Sequence, residues 1–550
     1  MGDSRTDGTA TTTSTNVTEK AGQVLAGGAL VTLFLRLVSF LCTQLTIRSL
    51  DPATLGKASI QLELLLTTVL FITREGFRLS LTQQTDDQKN WAVAWLTIPV
   101  VTIVSGAALI WHIFVSSSSD DKDYRLAGML YCLACWIEGC AEPAVLFLLR
   151  RLEVAKRVSA EGIATVCKTF ATVLGLRLFP VQWQVTAFGV AQVVYATTYA
   201  LYLYGNVWSR PDWKIGLPSS TKKLWGELDS NTCYVTLIFT LQGFFKHLLT
   251  EADKIVLAAM ADSYDQGVYA MGASYGSMAA RILLQPLEEN ARLLWSRLAS
   301  VGSDEMLEES YKSLLKLVLY IGFFFCCLAV NYTNLLLNIL AGRTWGQNAE
   351  AANVLSAFCV YTAFLALNGM TEALVYAVSG TNRSNLNTTT EMAKLGFAHT
   401  FTGVVFAIAA SFLVGQYGTV GLVGANCIAM SIRSIYSLVF AARFFEGMRK
   451  EGKSLASSFA VLLSQVFPPI LVLTSFAATY VATRLSLESL MEKSYHLKLQ
   501  FRDKDWLLLT GRHVAIGVSC VIGIMSIMAF LEKPFLRSLS GLVKRKQKDA

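Results

Sequence analysis

Charge is what this chain has least of. Only 16% of its 550 residues are Asp, Glu, Lys or Arg, against about 25% in soluble proteins, while hydrophobic residues make up 53%. That balance excludes an ordinary water-soluble fold, and no polar stretch is long enough to form a separate soluble domain. The Thr/Ser-rich segment from Met1 to Lys20 lacks a basic n-region and a short apolar h-region with a cleavage site, so no removable signal peptide is expected. Cysteine is present but patternless. All eleven fall inside or at the edge of an apolar run, where a thiol acts as a small apolar residue and no structural disulfide is expected. Cys132-x-x-Cys135 lacks the second pair that a zinc site would need.

What the chain has instead is a recurring run of about 20 apolar residues, the length one helix needs to cross a hydrocarbon core. About fourteen such runs are expected, which predicts an all-α polytopic membrane protein. The first is placed at Val24 to Thr46, which also makes it the expected targeting signal, and the eleventh to thirteenth at Leu395 to Val414, Val420 to Phe440 and Phe459 to Tyr480. The expected organisation is a cytosolic N-terminal tail (1–21), an N-lobe of six spans (22–208), a cytosolic linker (209–230), a C-lobe of six spans (231–445), and a final region (446–550). That last region carries two further spans, a lumenal loop over 483–512 and a cytosolic C-terminal tail.

Orientation follows from the basic residues in the connections. With the N-terminus in the cytosol, the cytosolic connections and tails hold about 26 Lys/Arg and the opposite side about 11. Both termini are therefore predicted to be cytosolic. The net charge of +8 reflects this bias, and no nucleic-acid-binding module accompanies it.

An internal repeat links the two predicted lobes. Gly56 opens a segment that reaches Arg74-Glu75-Gly76-Phe77-Arg78, and Gly267 opens one that reaches Glu288-Glu289-Asn290-Ala291-Arg292 after a similar interval. Each is the second span of its block, and each carries Glu-x-x-Arg, which can pair along one helical face. Two homologous lobes of this kind are the usual architecture of a transporter.

Charges inside apolar helices then carry the functional reading, since each costs about 2.5–3.5 kcal/mol at a helix centre. Arg36 and Arg281 have no acid within one helical turn and come from corresponding parts of the two lobes. An excess of intramembrane cations points to an anionic substrate, most naturally a phosphate, which guanidinium binds with two parallel hydrogen bonds. Arg74, Arg78, Lys168, Lys254 and Arg433 extend this expected substrate-binding set, with Glu75, Glu288, Glu372 and Asn426 as structural or gating residues. Arg74 with Glu75, and Asp253 with Lys254, are expected to neutralise one another within their helices. No catalytic residue, metal ligand or cofactor is expected.

Four kinds of motif invite other readings. Gly447-Met448-Arg449-Lys450-Glu451-Gly452-Lys453-Ser454 fits the P-loop pattern but falls between two membrane spans rather than between a strand and a helix. Asp121-Lys122-Asp123 and Asp503-Lys504-Asp505 sit on the predicted lumenal side, where a metal-dependent membrane glycosyltransferase would place an Asp-x-Asp triplet. Asn16, Asn331, Asn382 and Asn387 head Asn-x-Ser/Thr sequons, none of which the predicted topology exposes to the lumen. The terminal Lys546-Gln547-Lys548-Asp549-Ala550 has the form of a cytosolic dilysine retrieval signal.

Several ordered blocks carry a resemblance. Phe71-Ile72-Thr73-Arg74-Glu75-Gly76-Phe77-Arg78, Leu248-Leu249-Thr250-Glu251-Ala252-Asp253-Lys254-Ile255, Gln285-Pro286-Leu287-Glu288-Glu289 and Gly424-Ala425-Asn426-Cys427-Ile428-Ala429-Met430-Ser431-Ile432-Arg433 resemble the eukaryotic Rft family, from Gly27 to about Leu536. The resemblance implies a protein of the endoplasmic reticulum membrane in the N-glycosylation pathway. Its substrate would be dolichyl-diphosphate-linked Man5GlcNAc2, translocated, or helped to translocate, from the cytosolic to the lumenal leaflet. It also implies the wider superfamily of multidrug exporters and lipid-linked sugar flippases. A cation-coupled small-molecule antiporter and a lumenal membrane glycosyltransferase stand as the alternative readings.

Overall fold

The computed structural model describes residues 44–82, 93–114, 121–151, 153–211, 213, 230–379, 388–449, 454–496 and 503–548. Arg36, most of the expected first span, most of the linker, and Asn16, Asn382 and Asn387 lie outside them. Among the described residues the chain is helical, with no strand. Eight helices among these residues are long and apolar enough to cross a membrane. Large apolar side chains such as Ile103, Trp111, Phe170 and Leu201 stand exposed on helix surfaces, as they must where the surrounding solvent is hydrocarbon. The protein is an all-α polytopic membrane protein.

The helices group into two compact units. The first gathers the described residues of Met1–Leu50 with Leu62–His247; the second holds Asp51–Gln61 and Leu248–Ala550.

Helix α1 (Pro52–Gly56) opens with Asp51 as its N-cap, the carboxylate accepting from Thr54 N at 3.1 Å, and with Pro52 at a first-turn position where no N–H is needed. A π-helical turn, Lys57–Leu62, leads into α2 (Glu63–Thr82). In the first unit follow α3 (Thr97–Phe114), α4 (Lys122–Cys140), α5 (Glu142–Arg150), α6 (Val154–Leu178), α7 (Gln184–Val207) and α8 (Ser230–Thr250). Helices α4 and α6 both pack along α7, and α2 packs on α3, α4 and α5. Leu66, Leu70, Tyr131, Cys135 and Val185 meet in one of its cores.

The second unit holds α9 (Ala252–Met260), α10 (Ser263–Ala279), a π turn over Ala280–Leu284, α11 (Gln285–Val301), α12 (Asp304–Cys327), α13 (Thr333–Leu340) and α14 (Ala349–Ser379). Then come α15 (Thr388–Arg449), α16 (Leu455–Val466), α17 (Ile470–His496), α18 (Lys504–Leu531) and α19 (Lys533–Lys548). Gly302, at φ 86°, ends α11, its N–H and that of Ser303 both reaching Leu298 O. Gly418, at φ 58°, breaks the 62-residue α15 between the expected spans Leu395–Val414 and Val420–Phe440.

Two other boundaries depart from expectation. Pro468-Pro469 interrupts the expected span Phe459–Tyr480, because proline cannot donate to a helix interior, so the membrane-length helix starts at Ile470. It runs through His496, and α18 resumes at Lys504, so most of the expected loop 483–512 is helix. Asn331 of the sequon is buried, its amide donating to Thr483 Oγ1 at 2.8 Å and to Tyr480 O at 3.2 Å. Gly447 to Arg449 end a helix rather than follow a strand, so the context a P-loop requires is missing there.

The two repeat glycines meet within the second unit. A Cβ on Gly56 would lie 2.0 Å from Ser263 O, and one on Gly267 only 1.7 Å from Pro52 O. Backbone crosses backbone here, the packing small residues permit between membrane helices. Gly267→Leu should therefore force α1 off α10 and lower both membrane abundance and melting temperature. Gly415→Ala, where no atom lies within 4 Å of the added carbon, should leave both unchanged or slightly raised.

Candidate functional site

In the first unit two of the expected cations, Arg74 and Arg78, are held by buried carboxylates. Helix α4 stops at Cys140 and α5 restarts at Glu142 with Pro143 in its first turn; Tyr204 Oη donates to the Cys140 carbonyl at 2.6 Å. Glu138 and Glu142 flank this break and meet Arg74 and Arg78, four residues apart on α2. Arg74 Nη1 donates to Glu138 Oε1 at 2.7 Å. Arg78 holds Glu142 with two bonds, Nε to Oε1 at 2.5 Å and Nη2 to Oε2 at 2.8 Å. The expected Arg74–Glu75 pair is thus replaced by a two-rung ladder between helices. Glu75 lies beside Gly243, its Cγ 3.6 Å from where a Cβ would sit.

Lys168, on α6, is placed differently. Its ammonium lies 6.0 Å from the centre of the Tyr195 ring on α7, at the limit of a cation–π contact. No carboxylate among the described residues pairs with it.

The second unit repeats the arrangement with other helices. Glu372, buried on α14, accepts two bonds from Arg433 of α15, from Nε at 2.8 Å and Nη2 at 2.9 Å, and sits 3.2 Å from His399 Nε2. Glu288 of α11 lies against Gly369, where a Cβ would fall 2.5 Å from its Oε2. His399 was not among the expected residues. The one signal for it is scarcity, since the chain has only five histidines.

Lys254 pairs with Glu251 at 2.7 Å rather than with Asp253. Asp253 accepts from Tyr269 Oη at 3.1 Å, and Asn426 Nδ2 reaches the same hydroxyl at 3.5 Å. These contacts tie α9, α10 and α15 together.

Arg281 stands apart. It lies in the π turn of Ala280–Leu284, an irregularity that tends to occur at functional sites. Its Nη2 donates to Ser277 Oγ at 2.6 Å, its side chain is exposed on the helix surface, and it has no carboxylate partner among the described residues. So Lys168 in one unit and Arg281 in the other keep the hydrogen-bonding capacity a phosphate needs. Arg74, Arg78, Lys254 and Arg433 have much of theirs committed.

The Asp-x-Asp reading fares poorly at its first triplet. Asp121 caps α4, accepting from Asp123 N at 3.0 Å and Tyr124 N at 3.3 Å. Asp123, buried, caps α7, accepting from Val185 N at 2.9 Å, Thr186 N at 2.7 Å and Thr186 Oγ1 at 2.6 Å. Its oxygens hold a helix end instead of facing a cation. Asp123→Ala should cost about 1–3 kcal/mol by stranding buried donors and should lower abundance, as read by immunoblot of membranes.

A membrane protein whose described residues are helical, with buried ion pairs and a few cations that lack carboxylate partners among those residues, has the make-up of a transporter. The family it belongs to is the Rft family, whose model, described as Rft protein, matches residues 29–541. It is 25% identical to the Man(5)GlcNAc(2)-PP-dolichol translocation protein RFT1 of Xenopus tropicalis, over 96% of this chain and 98% of that one. To the protein of the same name from Mus musculus it is 28% identical, over 78% of this chain and 84% of that one. Its fold is similar to that of the lipid II flippase MurJ in an inward closed conformation, at TM-score 0.59 and 10% identity over 91% of this chain and 98% of that one. An inward-facing multidrug resistance transporter of the MATE family gives 0.55 at 10% identity, over 76% and 96%.

Proposed function

We propose that this protein translocates, or helps to translocate, dolichyl-diphosphate-linked Man5GlcNAc2 from the cytosolic to the lumenal leaflet of the endoplasmic reticulum membrane. Family membership and the relatives' names supply the substrate class. The observation that carries the chemistry is that Lys168 and Arg281 have no carboxylate partner among the described residues, whereas Arg74, Arg78, Lys254 and Arg433 do. A diphosphate offers several anionic oxygens, and a guanidinium binds two of them in one plane. The polyprenyl chain would stay in hydrocarbon while the head passes along the polar interior. Two six-span lobes, 22–208 and 231–445, joined by the linker 209–230, would supply that path, with both termini in the cytosol as the basic connections favour.

The test is reconstitution of the purified full-length protein in liposomes with the authentic lipid-linked heptasaccharide and a membrane-impermeant probe of its outer-leaflet fraction. Exchange faster than in protein-free liposomes is expected. Equal rates, with the protein folded and correctly inserted, would reject direct translocation and leave an assisting role.

A further inference from the structure

Away from these charges, three helices of the second unit change character at one level. The apolar part of α12 begins at Leu317, α17 begins at Ile470, and α18 ends at Leu531. Where long apolar helices begin and end together, the lipid headgroup layer is expected. Lys316 Nζ pairs with Glu532 Oε1 at 2.6 Å, Tyr320 Oη donates to that same oxygen at 2.9 Å, and Ser313 meets Ser538 at 2.9 Å. These bonds fasten α12 to the α18–α19 corner and leave beside them a cavity of about 600 Å³, within the range of about 300–1,000 Å³ typical of ligand sites.

Its lining mixes two chemistries, the charged Glu309, Lys312, Lys316 and Glu532 with the apolar Phe467, Leu531 and Phe535. Both signs of charge are present, but not equally committed. Lys312 pairs with Glu308, and Lys316 with Glu532 while lying over the Phe535 ring. The carboxylate of Glu309 is exposed and makes no ion pair among the described residues. The cavity therefore offers an uncommitted anion beside two ammonium groups, with apolar side chains where membrane hydrocarbon begins.

We propose that this cavity binds the headgroup of a zwitterionic phospholipid, phosphoethanolamine or phosphocholine. The phosphate would accept from Lys312 and Lys316, the ammonium would face Glu309, and the first acyl carbons would lie on Phe467 and Leu531. Phosphatidylserine offers the same phosphate and ammonium but adds a carboxylate that would be repelled by Glu309, and dolichyl phosphate has no ammonium to pair with that residue.

The test uses the purified full-length protein in detergent, with native mass spectrometry counting bound lipid and thermal unfolding measured beside it. Phosphatidylethanolamine, phosphatidylcholine, phosphatidylserine and dolichyl phosphate are added separately. Retention and a raised melting temperature are expected with the first two. Glu309→Gln, at an exposed site with no ion pair to lose, should fold normally and weaken that binding by about tenfold, the scale of one charge-assisted contact. Glu309→Lys should shift preference toward phosphatidylserine. Equal or stronger binding of phosphatidylserine or dolichyl phosphate to the unaltered protein would overturn the proposal, as would unchanged selectivity in both folded variants. Neither readout depends on leaflet exchange, so this site and the translocation reading stand or fall separately.

Discussion

Glu142→Leu alone should deplete the protein from the membrane, whereas Glu142→Leu combined with Arg78→Met should restore most of it. The pair is bidentate and well removed from solvent, with side-chain exposures of 14% for Arg78 and 2% for Glu142. Breaking a buried pair by removing one partner costs about 3–5 kcal/mol, because the remaining charge is left without compensation, while replacing both partners with apolar groups is often neutral or stabilising. Against a total stability of only about 5–15 kcal/mol, the single change should cut abundance severely. Immunoblot of membranes beside the melting temperature in detergent measures it. The double variant also separates two roles for Arg78. If the arginine only fastens α2 to α5, restored protein should restore N-glycosylation of a reporter in cells lacking the endogenous family member. If it also contacts the substrate, protein should return without activity. A single variant as abundant as the unaltered protein would remove the structural role.

That ladder also marks the limit of what could be read from sequence. The rule that residues three or four apart meet on a helix surface put Glu75 with Arg78, inside one charged run that begins at Arg74. The partners are 64 residues further on, on α4 and α5, and both rungs have the same separation. Nothing local announces such a pairing, since it depends on how two helices are set against each other. Glu372 illustrates the same point: it stood among the expected structural or gating residues, but Arg433 lies 61 residues away and His399 went unnoticed.

Composition and the length of the apolar runs, by contrast, sufficed for an all-helical membrane protein, because hydrocarbon leaves the backbone few other ways to satisfy its hydrogen bonds. Proline and glycine then moved the boundaries. Pro468-Pro469 divides an expected span, Gly418 breaks a helix that otherwise merges two, and the break at Ala141 places Glu138 and Glu142 for their arginines. Asp123 shows a different failure. A helix cap and a metal ligand ask for the same side chain, and only the arrival of Val185 and Thr186 at its oxygens separates them.

Arg281→Ala should abolish leaflet exchange while leaving the protein at its normal level. The structural argument runs opposite to that for Glu142. Arg281 gives one bond to Ser277 and has no carboxylate partner among the described residues, so its removal strands no buried charge. What it would remove is the fork that holds phosphate oxygens, worth about 1.5–3 kcal/mol per charge-assisted hydrogen bond, or about 10- to 150-fold in rate if that contact is needed on the path. Arg281→Lys keeps the charge but not the planar pair of donors, and should retain part of the activity. Ser277→Ala, which frees the guanidinium of its one tether, should have a smaller effect than either. The measurements are leaflet exchange of the lipid-linked oligosaccharide in liposomes and glycosylation of a reporter, each normalised to protein amount. An Arg281→Ala protein that exchanges lipid at the unaltered rate would take this residue out of the substrate path, and one that disappears from the membrane would show that a partner outside the described residues holds it.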